Sequence, residues 1–311
     1  MRLKKDLHIL LTKMSPNKLK VFISGSTGFI GKHLKRTLKN DYLLITPNRK
    51  KLNLNNINQV KKYLKIYKPN IILHLASSTK FKINNLEEKK NQIKNTYNIT
   101  KNLVKSFNPE CKLIVFFGSI EEYGKSKVPF KENQTPKPIT YYGKYKYKSF
   151  QYVSKYLKKK NMNYLWLRPS LTYGKGDNIE RFLGYVINSI IKKRKININS
   201  GNQIRDYIYI EDLCKVIMLI IKNYKKEYKC ILNISAQNYI KIKSIKCFIE
   251  KIINKKLNYE FVISKKKQTN LYSSNKKLLK FFPKLKFMSF KNGLIKTLKE
   301  NMILFANHNK S

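Results

Sequence analysis

The chain is predicted to fold as an α/β protein on a doubly wound parallel sheet, with a smaller C-terminal part appended. Three observations carry that expectation. Short apolar segments of strand length, at 20–24, 42–46, 71–76, 113–117, 164–167 and 231–235, alternate with segments of helical period. The first of these segments runs straight into Gly25-Ser26-Thr27-Gly28-Phe29-Ile30-Gly31 and then into a helix. A length of 311 residues with 42% hydrophobic content is enough for one large core and a smaller companion.

Taken in order, the strand 20–24 is followed by a helix whose Ile30, Leu34 and Leu38 share one face. Strand 42–46 gives way to the polar turn Thr46-Pro47-Asn48-Arg49-Lys50. Leu52-Asn53-Leu54 then leads to a helix with Ile57, Val60, Tyr63 and Leu64, ended by Pro69. Strand 71–76 closes in His74-Leu75-Ala76. A helix over 91–107, carrying Asn95 and Asn102, is broken by Pro109 ahead of strand 113–117. After the turn Thr135-Pro136-Lys137-Pro138 a helix starts near Tyr142, and strand 164–167 runs into Arg168-Pro169. Further helices are expected over 181–192, from Asp212 onward, over 244–254 and over 291–304, with the last sheet strand at 231–235. Alternation of this kind implies right-handed crossovers between parallel strands. No internal repeat and no true linker interrupts it.

The formal charge of +50 is extreme. It admits a polyanion or RNA binder, or a chain whose composition is biased toward Lys and whose lysines decorate solvated faces. Only seven of the 67 basic residues are Arg, the residue suited to bidentate phosphate and base contacts, and the lysines run along the whole length. The bias reading is therefore preferred, with non-specific adhesion to polyanions expected at low salt. Cys111, Cys214, Cys230 and Cys247 show no paired spacing, which predicts reduced thiols of a cytoplasmic protein and no metal site. No apolar run approaches a membrane span, and residues 1–17 read as an N-terminal extension, with Met14 an alternative start.

The glycine spacing has a mechanical reading. Gly25 permits the tight turn, Gly28 lets the backbone approach a diphosphate, and Gly31 lets the helix pack against the sheet. With 11 glycines in the chain, three at this spacing after a strand point to a dinucleotide. An acidic residue after the second strand would grip the 2′-hydroxyl of NAD. The turn 46–50 has none, and cationic Arg49 suits a 2′-phosphate, so NADP(H) is favoured. NAD(H) is the alternative, with Arg49 then an ordinary loop residue.

A second constellation suits proton transfer to a carbinol oxygen. Ser119 follows the strand 113–117, and Tyr142 and Lys146, four apart, share one helix face. The Tyr-x-x-x-Lys spacing alone is uninformative, because Tyr97, Tyr123, Tyr156, Tyr239 and Tyr272 also have Lys four residues on. Only Tyr142 starts a helix after a Pro-rich turn, downstream of the Ser119 strand end. Tyr123, in the loop just after Ser119, reads as a wall of the substrate site.

Together these motifs resemble the extended short-chain dehydrogenase/reductases, the NAD(P)-dependent epimerase/dehydratase family that acts on nucleotide sugars. The resemblance covers roughly 19–300. It rests on Gly25-x-x-Gly28-x-x-Gly31, His74-Leu75-Ala76, Asn95 with Asn102, Ser119-x-x-x-Tyr123-Gly124, Tyr142-Gly143-x-x-Lys146, Arg168-Pro169-x-x-x-Tyr173-Gly174 and Arg205-Asp206-Tyr207-Ile208-Tyr209-Ile210-x-Asp212, in that order. It implies a Rossmann-type cofactor domain over 18–167, to which 206–235 return, and a substrate-binding part over 168–205 and 236–311. It implies Tyr142 as acid/base, Lys146 as the cation that lowers the tyrosine pKa from about 10, and Ser119 as the donor to the reacting oxygen. Gly25 to Gly31, Arg49, Asn53, Leu54, Leu75, Ala76, Ser77, Asn95 and Pro169 would hold the cofactor with Tyr142 and Lys146. Ser119, Glu121, Tyr123, Asn178, Arg181 and Arg205 would meet a nucleotide-sugar substrate, with Arg205 on its diphosphate. A homodimer is expected, and His74 is read as a packed strand-end residue.

The reaction itself is narrowed by two substitutions. Family 4,6-dehydratases carry an acid–Glu or polar–Glu pair after the Ser or Thr, where this chain has Ile120-Glu121. Epimerase-reductases of the GDP-fucose synthase kind place Cys where Glu121 stands. The expectation is therefore NADPH-dependent reduction of a 4-keto-6-deoxy nucleotide sugar. An NAD-dependent 4-epimerase is the alternative, ahead of a 4,6-dehydratase or a non-catalytic polyanion-binding member.

Overall fold

The computed structural model describes residues 18–77, 85–199, 201–262 and 269–308. The expected extension 1–17 and the alternative start at Met14 lie outside them. The chain divides into two compact units. The first comprises residues through Glu122, Pro138–Arg168 and Cys214–Leu232.

The first unit is built on strands β1 (Lys20–Ser24), β2 (Leu43–Ile45), β3 (Ile71–His74), β4 (Leu113–Phe117) and β5 (Tyr164–Pro169), joined at the edge by β9 (Cys230–Ile234). Their order in the six-stranded parallel sheet is β2-β1-β3-β4-β5-β9. Phe22 stands beside Ile72, Ile72 beside Ile114, and Ile114 beside Tyr164, so one apolar row crosses the sheet. The strands are buried on both faces, as their unbroken Val/Ile/Leu/Phe runs require. Helices α1 (Phe29–Leu38), α2 (Ile57–Tyr67), α3 (Leu86–Val104) and α4 (Tyr141–Lys159) connect them. Val60, Leu64, Leu103, Val153 and Leu157 from these helices close on Phe22, Ile72, Phe116 and Trp166. Each such burial contributes about 1.5–3 kcal/mol.

Caps set the helix limits. Asn56 accepts from the Gln59 N–H at the start of α2, Asn85 from Glu87 N–H at α3, and Thr140 from Gly143 N–H at α4. The Asn85 cap is why α3 begins at Leu86 and not near 91. At the end of α2, Lys68 turns left-handed with φ 44°, one residue ahead of Pro69.

The second unit comprises Tyr123–Lys137, Pro169–Leu213 and the chain from Asn233 on. It holds β6 (Leu171–Tyr173), β8 (Ile204–Tyr209) and β10 (Tyr239–Lys241) in one three-stranded sheet, and β7 (Ile196–Asn199) with β11 (Tyr259–Val262) in a two-stranded one. Its helices are α5 (Phe182–Ile191), the start of α6 (Ile210–Lys222), α7 (Ser244–Ile253), α8 (Lys276–Phe281) and α9 (Phe290–His308). Tyr173, Tyr207 and Phe290 form its aromatic core, with Tyr207 and Phe290 centroids 5.1 Å apart. Buried Asp206 accepts from Ser170 Oγ at 2.5 Å, and burial pushes its carboxyl up to about 6.

The boundaries differ from the expected division: residues 123–137, 206–213 and 233–235 group with the second unit, and Arg168 with the first. Residues 123–137 group with the second unit, because Tyr123 stacks on Phe130 at 4.8 Å and donates to Asn233 Oδ1 at 2.8 Å. Phe130 in turn exchanges backbone bonds with Tyr272 and Ser274. Residues 206–213 also stay there, since β8 pairs with β6 and β10.

Candidate functional site

The loop between β1 and α1 is shaped by its glycines. Gly25 has φ +73°, and a Cβ there would lie 2.8 Å from the Ala76 nitrogen. A Cβ at Gly31 would collide with the Gly25 carbonyl and Ser26 backbone, so the helix packs closer than any other residue allows. At Gly28, by contrast, the nearest atom to a Cβ is 3.4 Å away, and Thr27 and Gly28 are exposed. The first turn of α1 carries no acidic residue and Gly28 caps it without a side chain, so its N–H groups and positive dipole end suit an anion. Ser26 is buried, and Phe29 and Ile30 are half-buried. These features fit a diphosphate.

His74 ties the ends of β1 and β3 together. Thr100 gives its hydroxyl proton to the Thr96 carbonyl, so it accepts from His74 Nε2–H at 3.0 Å, and His74 Nδ1 accepts from Ser24 Oγ at 2.8 Å. Burial, and then the Lys146 charge, push the imidazole down to about 3. It is a neutral packed residue, as expected.

Ser119 follows β4 after Gly118, whose N–H reaches the Leu167 carbonyl at 2.7 Å. A single 3₁₀ turn, Ile120–Glu122, comes next, and the Ser119 Oγ accepts from Glu121 N–H at 3.2 Å. The α4 helix abuts this turn, because a Cβ at Gly143 would strike the Glu121 carbonyl. Thr140, the cap of α4, donates to Glu121 Oε2 at 2.7 Å and fixes the two segments together. Tyr142 and Lys146 therefore sit one turn apart beside the Ser119 loop. Lys146 is buried, donates to the Phe117 carbonyl at 2.6 Å, and holds its ammonium 5.7 Å from the Tyr142 ring centroid. Burial pushes the amine down to about 8, against the pull of Glu122.

The remaining cofactor candidates of this unit lie on its loops. Arg49 is exposed in the turn after β2, where Asn48 Oδ1 accepts from Lys51 N–H. Asn53 uses Oδ1 on the Asn55 N–H, and Leu54 is half-buried. Asn102 of α3 donates to the Leu54 and Asn55 carbonyls at 3.0 and 2.9 Å, which anchors that loop. Leu75, Ala76 and Ser77 follow β3, half-buried. Asn95 is exposed on α3; the buried residue there is Thr96, whose Oγ1 is 3.5 Å from Ser77 Oγ.

In the second unit, Pro169 is half-buried at the end of β5. Arg181 donates to Asp177 Oδ1 at 2.8 Å, and Asn178 accepts from Glu180 N–H. Arg205 Nη1 donates to the carbonyls of Ile204 and Thr269. A cleft of about 220 Å³ opens beside it, lined by Phe182, Asn197, Ile198, Gln203 and Tyr207 among others. Gln203 Oε1 and Tyr207 Oη are buried there without a hydrogen-bond partner among the described residues, an arrangement that a polar ligand would relieve. Tyr123 corrects an expectation: its side chain has no exposed surface, so it is a packing residue and not a wall of the substrate site.

Glu122 and Trp166 escaped the sequence reading, and Arg168 entered it only as part of a motif, with no role of its own. Glu122, Trp166 and Arg168 form a fully buried polar cluster beneath Ser119. The signal was the adjacent pair Glu121-Glu122 in a chain with 17 acidic residues against 67 basic ones.

Comparison with known proteins agrees with this geometry. The family model described as "NAD dependent epimerase/dehydratase family" matches residues 21–235. GDP-6-deoxy-D-talose 4-dehydrogenase of Aggregatibacter actinomycetemcomitans is 28% identical over 211 residues, covering 65% of this chain and 70% of that protein. The dTDP-4-dehydro-6-deoxyglucose reductase of Escherichia coli is 33% identical over 151 residues, 47% of each chain. The solved UDP-glucose 4-epimerase of Thermotoga maritima superposes with a TM-score of 0.81 at 19% identity, over 92% of this chain and 99% of that one. The glycine loop on β1–α1, the Ser119 strand end, the Tyr142–Lys146 turn of α4 and a family match across more than half of the chain lead to one conclusion: this protein belongs to the NAD-dependent epimerase/dehydratase family.

Proposed function

We propose that the protein is an NADPH-dependent reductase of a 4-keto-6-deoxy nucleotide sugar. The observation that carries this reading is the Lys146 ammonium, anchored on the Phe117 carbonyl and 5.7 Å from the Tyr142 ring. A buried cation at that range favours the phenolate over the phenol, so Tyr142 can give its proton to a carbonyl oxygen as that oxygen gains charge. Ser119 donates a hydrogen bond to the same oxygen and steadies it. The nicotinamide, when bound, supplies the hydride. Its diphosphate is assigned to the Gly25–Gly31 loop and its 2′-phosphate to Arg49. The substrate diphosphate is assigned to Arg205.

Reduction is favoured over elimination by the 120–121 pair. Ile120 is buried and has no proton to give, and the Glu121 carboxylate is taken up by Thr140. The relatives that act on 4-dehydro-6-deoxy sugars or as 4-dehydrogenases support the same reaction class. The test is to release and weigh any nucleotide carried by the purified protein, then titrate it with NADPH and NADH. Reversible cofactor binding with NADPH preferred supports the reductase. Tightly retained NAD assigns a 4-epimerase instead. With a 4-keto-6-deoxy nucleotide sugar, Tyr142→Phe is expected to lower turnover by about 10²–10⁴-fold with an unchanged circular dichroism spectrum; unaltered turnover removes the mechanism.

A further inference from the structure

The Glu122 cluster lies directly beneath the proposed catalytic groups. Glu122 Oε1 accepts from the Ser119 N–H at 2.9 Å and from Trp166 Nε1–H at 3.0 Å, and Oε2 accepts from Arg168 Nε–H at 2.8 Å. Neither Glu122 nor Arg168 has exposed side-chain surface. Every one of these partners is a donor, as a carboxylate requires and a protonated acid does not. Burial raises the Glu122 carboxyl above the usual carboxylate range, with Arg168, Trp166 and the Ser119 N–H opposing it. The carboxylate also sits under the main chain that holds Lys146, since a Cβ on Gly118, next to the Phe117 carbonyl, would meet both Glu122 Oε1 and Trp166 Nε1.

We infer that Glu122 is a positioning residue of the hydride-transfer site: clamped by Trp166 and Arg168, it fixes the Ser119 loop through the Ser119 N–H and supplies the counter-charge that keeps the buried Lys146 ammonium protonated. This rests on Ser119, Tyr142 and Lys146 being the catalytic groups. A buried ammonium tends to lose its proton, and Glu122 is the acidic group that opposes this at Lys146. Among the described residues, the His74 imidazole, held neutral by burial, the Tyr142 ring and the Phe117 carbonyl also face Lys146. Arg168 faces Glu122 from β5 and fixes its direction. Lys146 can then hold its charge across the neutral range, next to the Tyr142 ring. The same carboxylate aligns the serine and charges the lysine.

The test reads Lys146 directly, whether or not turnover is found. In full-length protein labelled with ¹³Cε-lysine, the resonance lost in Lys146→Arg identifies Lys146, and its pH midpoint is followed by NMR. In Glu122→Gln that midpoint is expected to fall by about one unit, a tenfold loss of proton affinity. Glu122→Gln leaves Arg168 buried without its counter-charge, so Glu122→Gln/Arg168→Met, which removes both charges, is measured beside it. A smaller fall is expected there, because the positive charge of Arg168 is removed together with the carboxylate. With substrate, the alkaline limit of kcat should move down with the midpoint, with KM little changed. A Lys146 midpoint that stays where the unaltered protein has it, in whichever variant folds, overturns the inference. Loss of the fold in both variants also overturns it, by assigning Glu122 to the core alone. Failure of the reductase reading shows separately, as Tyr142→Phe retaining turnover.

Discussion

At the scale of single residues, the site depends on where charge is tolerated. His74 and Lys146 are both buried and both pushed toward their neutral forms, and at Lys146 the Glu122 carboxylate opposes that push. For His74 the consequence is acid sensitivity. Its imidazole is held at about 3 in the fold against about 6.5 in the unfolded chain, so below about 6.5 the unfolded state takes up a proton that the folded state refuses. The contribution is whole above that range and falls as pH drops toward 3, by an amount on the order of 4 kcal/mol. Urea midpoints measured from pH 7 down to 4 should decline less steeply in His74→Gln than in the unaltered protein; parallel curves would contradict this. Arg49 carries a different expectation. Arg49→Glu should weaken NADPH about tenfold or more and leave NADH binding nearly unchanged, because one charge-assisted contact to the 2′-phosphate is lost. Equal losses for both cofactors in a fluorescence titration would remove Arg49 from that role.

At the scale of elements, the junction of β4, the 120–122 turn and α4 carries the proposed catalytic groups. Thr140 caps α4 and donates to Glu121, so Thr140→Ala should cost about 1 kcal/mol of stability and loosen the turn that carries Ser119. Chemical unfolding checks the first effect, and a fall in kcat at unchanged cofactor affinity checks the second. Much of this junction was legible in the sequence. The Pro-rich turn and the place downstream of the Ser119 strand end singled out one of six Tyr-x-x-x-Lys pairs, and in the structure α4 starts at Tyr141 with Gly143 packed against the Glu121 carbonyl. The buried, mainly apolar strands β1, β3 and β4 were equally readable, because unbroken apolar runs have few other uses. Strands β6, β7, β8, β10 and β11 were not. Their three to six residues mix polar and aromatic side chains, and their pairing is decided by partners far along the chain, as Tyr239 beside Asp206 illustrates. Tyr123 misled for a related reason. Its place after Ser119 suggested a site wall, but stacking on Phe130 and the bond to Asn233, more than a hundred residues on, take it into a core.

At the scale of the whole molecule, the charge of +50 and the chemistry are separable. Lysines spread along the chain predict adhesion to heparin or RNA at low salt, released steeply as salt rises. Turnover should persist across that release; activity lost in step with it would argue for a polyanion-dependent function. Among the described residues no helix is long and apolar enough to cross a membrane. The central proposal is that this fold moves a hydride with Tyr142 as the proton donor. The most direct measurement supplies NADPH deuterated at the transferring position with a 4-keto-6-deoxy nucleotide sugar and locates the label by mass spectrometry and NMR. Deuterium at C4 of the product sugar, lost with Tyr142→Phe, is the predicted result. Product formed without deuterium, or equal labelling by Tyr142→Phe, would contradict it.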